Sequence, residues 1–92
     1  MEKKCNAKIK YSYLGFDEDK QLCIEIGFDC EFGSVRTQKI LVEDTEIIED
    51  ILDILELQKW EELPRKFARI KINEIGLVLA IGNLIKEEWV NL

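Results

Sequence analysis

Between Gln21 and Phe32 the chain reads QLCIEIGFDCEF, placing Leu22, Ile24, Ile26, Phe28, Cys30 and Phe32 at every second position. A period of two held over that length belongs to a strand with one buried face, because a helix would scatter the same residues around its circumference. KIKYSY, residues 8–13, alternates in the same way, and the polar GFDEDK between the two runs has the composition of a turn. The pair is expected to form an antiparallel hairpin. On this reading Tyr11, Tyr13, Phe28 and Phe32 point inward and pack in the core rather than stack on a ligand. The following VRTQKILV is rich in strand formers but interrupted by Arg36, Gln38 and Lys39, as suits an edge strand that must not pair with other chains.

At Asp44 the period changes. Ile47, Ile48, Ile51, Leu52, Ile54 and Leu55 gather on one side of a 3.6-residue helix, with Glu46, Glu49, Asp50, Asp53 and Glu56 on the other. Asp44 or Thr45 is the natural N-cap, and the spacing predicts a helix from Asp44 to Gln58. Pro64 stops any continuation, since it lacks an N–H and restricts the residue before it. KFARIKI then predicts a strand with Ala68, Ile70 and Ile72 inward, NEIG a turn, and LVLAI (residues 77–81) the most buried strand of the sheet. LIKEEWVNL closes the chain as a short strand or tail anchored by Trp89. With 47% apolar residues and a single proline in 92 residues, the chain has the means to fold and room for one core. The expectation is a single α+β domain over residues 1–92: an antiparallel sheet of about five strands, ordered β-β-β-α-β-β along the chain, with one amphipathic helix packed on one face.

The chemistry of catalysis is thinly represented. Histidine is absent, which removes the commonest general base and transition-metal ligand together, so the chain reads as a non-enzyme with no cofactor and no metal. No phosphate-cradling glycine loop is present. The Asp17-Glu18-Asp19 triplet lacks the ligand pattern of a calcium loop. Three cysteines suit a reducing compartment: Cys5 reads as an exposed thiol, while Cys23 and Cys30 fall on opposite strand faces and cannot pair. With no membrane-length apolar run and no signal core after the N-terminal lysines, a cytoplasmic location is expected.

Charge is unevenly distributed. Residues 43–62 hold nine acids and one base, Lys59, a net of −8. The whole chain carries −6, so the remaining residues are net +2. Glu46/Glu49, Glu46/Asp50, Glu49/Asp53 and Asp53/Glu56 are like-charge neighbours on a helix, each destabilising by ~0.2–0.5 kcal/mol. A helix shaped for stability alone would place lysines there. The stripe is either a solvated outer face or a docking surface for a basic protein, which steers positive surfaces in and repels nucleic acid. On the second reading Glu46, Glu49, Asp50, Asp53, Glu56 and the adjacent Trp60 form the partner-binding site of a monomer or small homo-oligomer. Direct nucleic-acid binding is the poorest option and no membrane partner is expected, although Arg65, Lys66, Arg69 and Lys71 make a small basic cluster, the one feature favouring capture of a phosphorylated small molecule. A third reading is a homo-oligomeric structural or assembly protein joined through an apolar edge or the tryptophans Trp60 and Trp89.

Toward the C-terminus an acidic helix runs into a W-E-x-L turn (Trp60, Glu61, Leu63), a basic strand RKFARIKI, and a close of I-G-N followed by W (Ile81, Gly82, Asn83, Trp89). In this layout the segment from Trp60 onward resembles small phage and prophage proteins of Gram-positive bacteria. The resemblance implies a mobile-element origin and, since such proteins include anti-CRISPR and other inhibitors of host defence, a partner with a basic nucleic-acid groove.

Overall fold

The structure, a computed structural model, describes residues 2–92. Along the chain lie β1 (Lys3–Phe16), β2 (Leu22–Cys30), β3 (Gly33–Arg36), β4 (Ile40–Leu41), the helix α1 (Glu46–Ile54), a 3₁₀ turn at Trp60–Glu62, β5 (Phe67–Ile72), β6 (Val78–Gly82) and β7 (Trp89–Asn91). The strands form one antiparallel sheet in the order β3-β2-β1-β5-β6-β7, with β4 also pairing with β2. The α+β class and the single helix on the core face agree with expectation, while the strand count is higher for two reasons. The VRTQKILV segment divides into β3 and β4 around Thr37, which is fully buried and takes over the ladder bonds of Ile26: its N–H donates to the Ile26 carbonyl at 3.0 Å, and its Oγ1 accepts from the Ile26 N–H at 3.2 Å. The C-terminal segment pairs with β6 as a seventh strand.

The apolar run at 77–81 is the most buried strand, as expected, with Val78, Ala80, Ile81 and Gly82 of β6 all buried, while β1 is a central strand of the sheet. Lys3 to Lys8 pair with β5, and Ala7 to Phe16 pair with β2, so one long strand serves two neighbours in succession. Its register shifts between Ile9 and Tyr11, where Lys10 is an extra residue without a partner on β2. Such a bulge inverts which side chains face the core. Ile9 is buried beside Phe28, but Tyr11 and Tyr13 emerge on the outer face, 37% and 45% exposed. The expectation that both tyrosines point inward is therefore corrected. Phe32, beyond the end of β2, is likewise exposed, and Phe28 alone of the four aromatics is core.

A bridge between Arg36 and Leu77 ties the end of β3 to the entry of β6, so the sheet rolls toward closure around its apolar side. Ile9, Ile24, Ile26, Phe28, Ile70 and Ile81 fill that interior, and α1 covers it with Ile51, Ile54 and Leu55. Burying each such side chain contributes ~1.5–3 kcal/mol. Cys5 belongs to this core, which corrects its assignment as an exposed thiol: burial, with a further contribution from neighbouring Cys30, pushes its pKa up to about 11. Cys23 is buried on the other side of the sheet, and all three cysteines are free.

The helix is shorter than predicted. Asp44 Oδ1 accepts from the Glu46 N–H at 2.9 Å at its start. At its end the Glu56 N–H bonds to the Asp53 carbonyl at 3.1 Å and the Leu57 N–H to the Leu52 carbonyl at 2.8 Å, a Schellman closure with Glu56 in the left-handed region at φ 59°. Asn83 donates its side-chain N–H to the Ile54 carbonyl at 2.8 Å, so the loop after β6 holds the helix end. Among the described residues no helix is long and apolar enough to cross a membrane.

Candidate functional site

The expected acidic residues are all exposed. Among the described residues Glu46, Asp50 and Asp53 have no ion pair, and Glu49 meets only the Thr45 hydroxyl at 3.4 Å. The stripe nevertheless divides. Asp50 and Asp53 overlook a groove of about 480 Å³ between α1 and β7, whose far wall is Glu88, Trp89 and Val90 and whose floor includes Ile47 and Ile54. Glu56 has left the helical wheel and faces a different hollow, with Arg65 and Lys66, and pairs with Lys86 at 3.8 Å. Trp60 does not stand free beside the stripe. It is half-buried against the core, with its ring N–H enclosed and lacking an acceptor among the described residues.

The groove thus gathers three carboxylates from two segments against an apolar floor. That is the chemistry of a slot for a lysine or arginine side chain, whose aliphatic stem lies on Ile47 and Ile54 while its head meets Asp50, Asp53 and Glu88. Glu88 and Trp89 were not legible as members of this site, because β7 reaches the helix only through its pairing with β6.

The basic cluster expected at residues 65–71 is split. Arg65, in the left-handed region at φ 77°, and Lys66 lie at the helix end, whereas Arg69 and Lys71 project from the outer face of the sheet. There they join Lys4, the cross-strand neighbour of Lys71. All three cations lie over the Trp89 ring: Lys71 at 4.5 Å, Arg69 at 4.8 Å and Lys4 at 5.7 Å from its centroid. The ring lies close over Gly82, where a Cβ would come within 2.7 Å of it. Arg69 is also tied to the loop, donating to the Asn83 and Lys86 carbonyls at 2.8 and 2.9 Å and pairing with Glu87 at 3.4 Å. The hydrogen bond from the Trp89 ring N–H, followed by that from Arg69, lowers the Glu87 carboxyl below its ordinary value.

A further hollow, of about 860 Å³, opens at one end of the rolled sheet beside the β5–β6 turn. Lys3, Lys10 and Arg36 approach it together with Tyr11 and Phe32. Glu25 holds two of these, accepting from the Tyr11 hydroxyl and pairing with Arg36 at 4.0 Å. Asp17 is a turn residue: its Oδ1 accepts from the Asp19 and Gln21 N–H groups at 2.9 Å, and the Lys39 ammonium, 2.8 Å from its Oδ2, lowers its pKa. Among the described residues no group of three or more His, Cys, Asp or Glu side chains is arranged to hold a metal ion. Compared with models of known protein families, with characterised proteins and with solved structures, the chain matches none.

Proposed function

We propose that this chain is a non-enzymatic binding protein that docks its acidic helix face onto a basic groove of a protein partner. The observation that carries the reading is the slot between α1 and β7, in which Asp50, Asp53 and Glu88 stand exposed and without an ion pair among the described residues. Glu46 and Glu49 extend the negative field beyond the slot and would speed encounter with a positive surface. The resemblance of the segment from Trp60 onward to small phage proteins supports a nucleic-acid-handling complex of bacterial defence as the partner, with this chain as its inhibitor. A plaque assay tests this: expressed in a host whose CRISPR or nuclease defence blocks a phage, the protein should restore plaquing, and the Glu49→Lys/Asp50→Lys/Asp53→Lys variant should not. Restoration by both proteins alike would remove the acidic face from the mechanism.

The hollow beside the β5–β6 turn favours a second reading, capture of a small phosphorylated signal by Lys3, Lys10 and Arg36 with an aromatic ring at Phe32. That site replaces the Arg65, Arg69 and Lys71 expected from sequence. A cyclic nucleotide at a hundred times its dissociation constant would stabilise the fold by ~2.7 kcal/mol, visible as a rise in melting temperature. No rise with any cyclic nucleotide would leave the first reading alone.

A further inference from the structure

The outer face of the sheet carries a pattern that neither charged segment displays alone. On β1, Lys4 and Lys8 point away from the core, roughly 13 Å apart along the strand. Antiparallel to them on β5, Lys71 stands opposite Lys4 and Phe67 opposite Lys8. Lys4, Lys8 and Lys71 have no ion pair among the described residues. Of the carboxylates on this face, Glu87 is engaged by Arg69 and Trp89, Asp29, opposite Lys8, by the Ser34 hydroxyl at 2.8 Å, and Glu25, opposite Tyr13, by the Tyr11 hydroxyl and Arg36. Phe67 is 54% exposed on an open sheet, with the Lys8 ammonium 5.9 Å from its ring centroid.

We infer that this face binds a single-stranded polynucleotide running along β1 and β5. Lys4 and Lys8 on β1 and Lys71 on β5 line a track for phosphates, and the exposed Phe67 ring offers a stacking surface that accepts any unpaired base. A duplex hides its base faces and has no use for that ring. The lysines that lie over Trp89 would exchange a weak attraction to the ring for charge-assisted bonds to phosphate. The acidic helix does not prevent this. It packs on the other side of the sheet, and charges more than ~8 Å apart are largely screened at physiological ionic strength. It approaches the outer face at β7, through the groove that Trp89 also lines, and at its C-terminal end, where Glu56 shares a hollow with Phe67 and pairs with Lys86 at 3.8 Å.

Fluorescence anisotropy of a labelled oligothymidine of about twelve nucleotides, titrated with the full chain, tests the inference. Three phosphate contacts predict an affinity that falls roughly twentyfold between about 50 and 200 mM salt. Lys4→Glu/Lys8→Glu, both at exposed positions that leave the core intact, should weaken binding at least about tenfold. Phe67→Ala should weaken it at least about fivefold. Glu49→Lys/Asp50→Lys/Asp53→Lys, the variant that tests the acidic face, should bind the oligonucleotide at least as well as the native chain, so the two surfaces succeed or fail separately. No anisotropy change at low salt, unaltered affinity in either sheet variant, or a duplex of the same length binding as tightly would each overturn the inference.

Discussion

The acidic and the basic face of this protein are built in opposite ways. The first comes from one continuous stretch, residues 43–62, where a helical period sorts acids from isoleucines within a few turns. The second is assembled from β1, β5 and β7, whose residues lie up to 85 positions apart, Lys4 against Trp89. A helix displays a charged face by local geometry, whereas a sheet face exists only after its strands have chosen partners. A net charge of −6 therefore describes neither surface.

What lies beneath each face gives the sharpest test of this contrast. Under the acidic face, Ile51 is fully buried, and Ile51→Ala should destabilise the fold by ~2–5 kcal/mol in urea melts through lost burial and a residual cavity. Asp53, on the same helix but exposed, should tolerate Asp53→Ala within ~0.5 kcal/mol, with relief of like-charge repulsion favouring the variant. Equal damage from the two would mean that the acids are structural, and the distinction between face and core on this helix would fail.

Under the basic face the corresponding position is Gly82. A methyl group there meets the Trp89 ring and must push it off the sheet, so Gly82→Ala should cost ~1–3 kcal/mol and change the near-ultraviolet circular dichroism of the tryptophan. A silent variant would mean that the ring is not seated on the glycine and that the three cations over it have no fixed platform.

The smallest effect falls at the junction of the two regions. Glu56 holds a left-handed conformation that glycine adopts without a Cβ penalty, while its partner Lys86 is an exposed cation worth little to stability. Glu56→Gly should therefore stabilise the fold by ~0.5–1 kcal/mol, read as a higher urea midpoint at unchanged slope. A loss of stability instead would show that the Glu56–Lys86 pair, and with it the helix's hold on the following loop, outweighs the backbone strain.

Much of the architecture is legible in the residues themselves, wherever the controlling interaction is local. The alternation from Leu22 to Cys30 specifies β2, the 3.6-residue spacing specifies α1 and its acidic side, and Asn73 with Gly76 makes the turn expected at NEIG. Other features were decided by tertiary structure. The bulge at Lys10 turns Tyr11 and Tyr13 outward because β1 changes partners along its length, which no pattern within β1 records. Cys5 is buried because its strand is central rather than a polar leader, and Trp89 joins both the acidic slot and the basic face because β7 closes the sheet edge beside the helix. Side-chain period is a property of one segment and survives in the sequence. Which strand neighbours which depends on closing long loops around a shared core, so the surfaces made by that choice appear only in the folded chain.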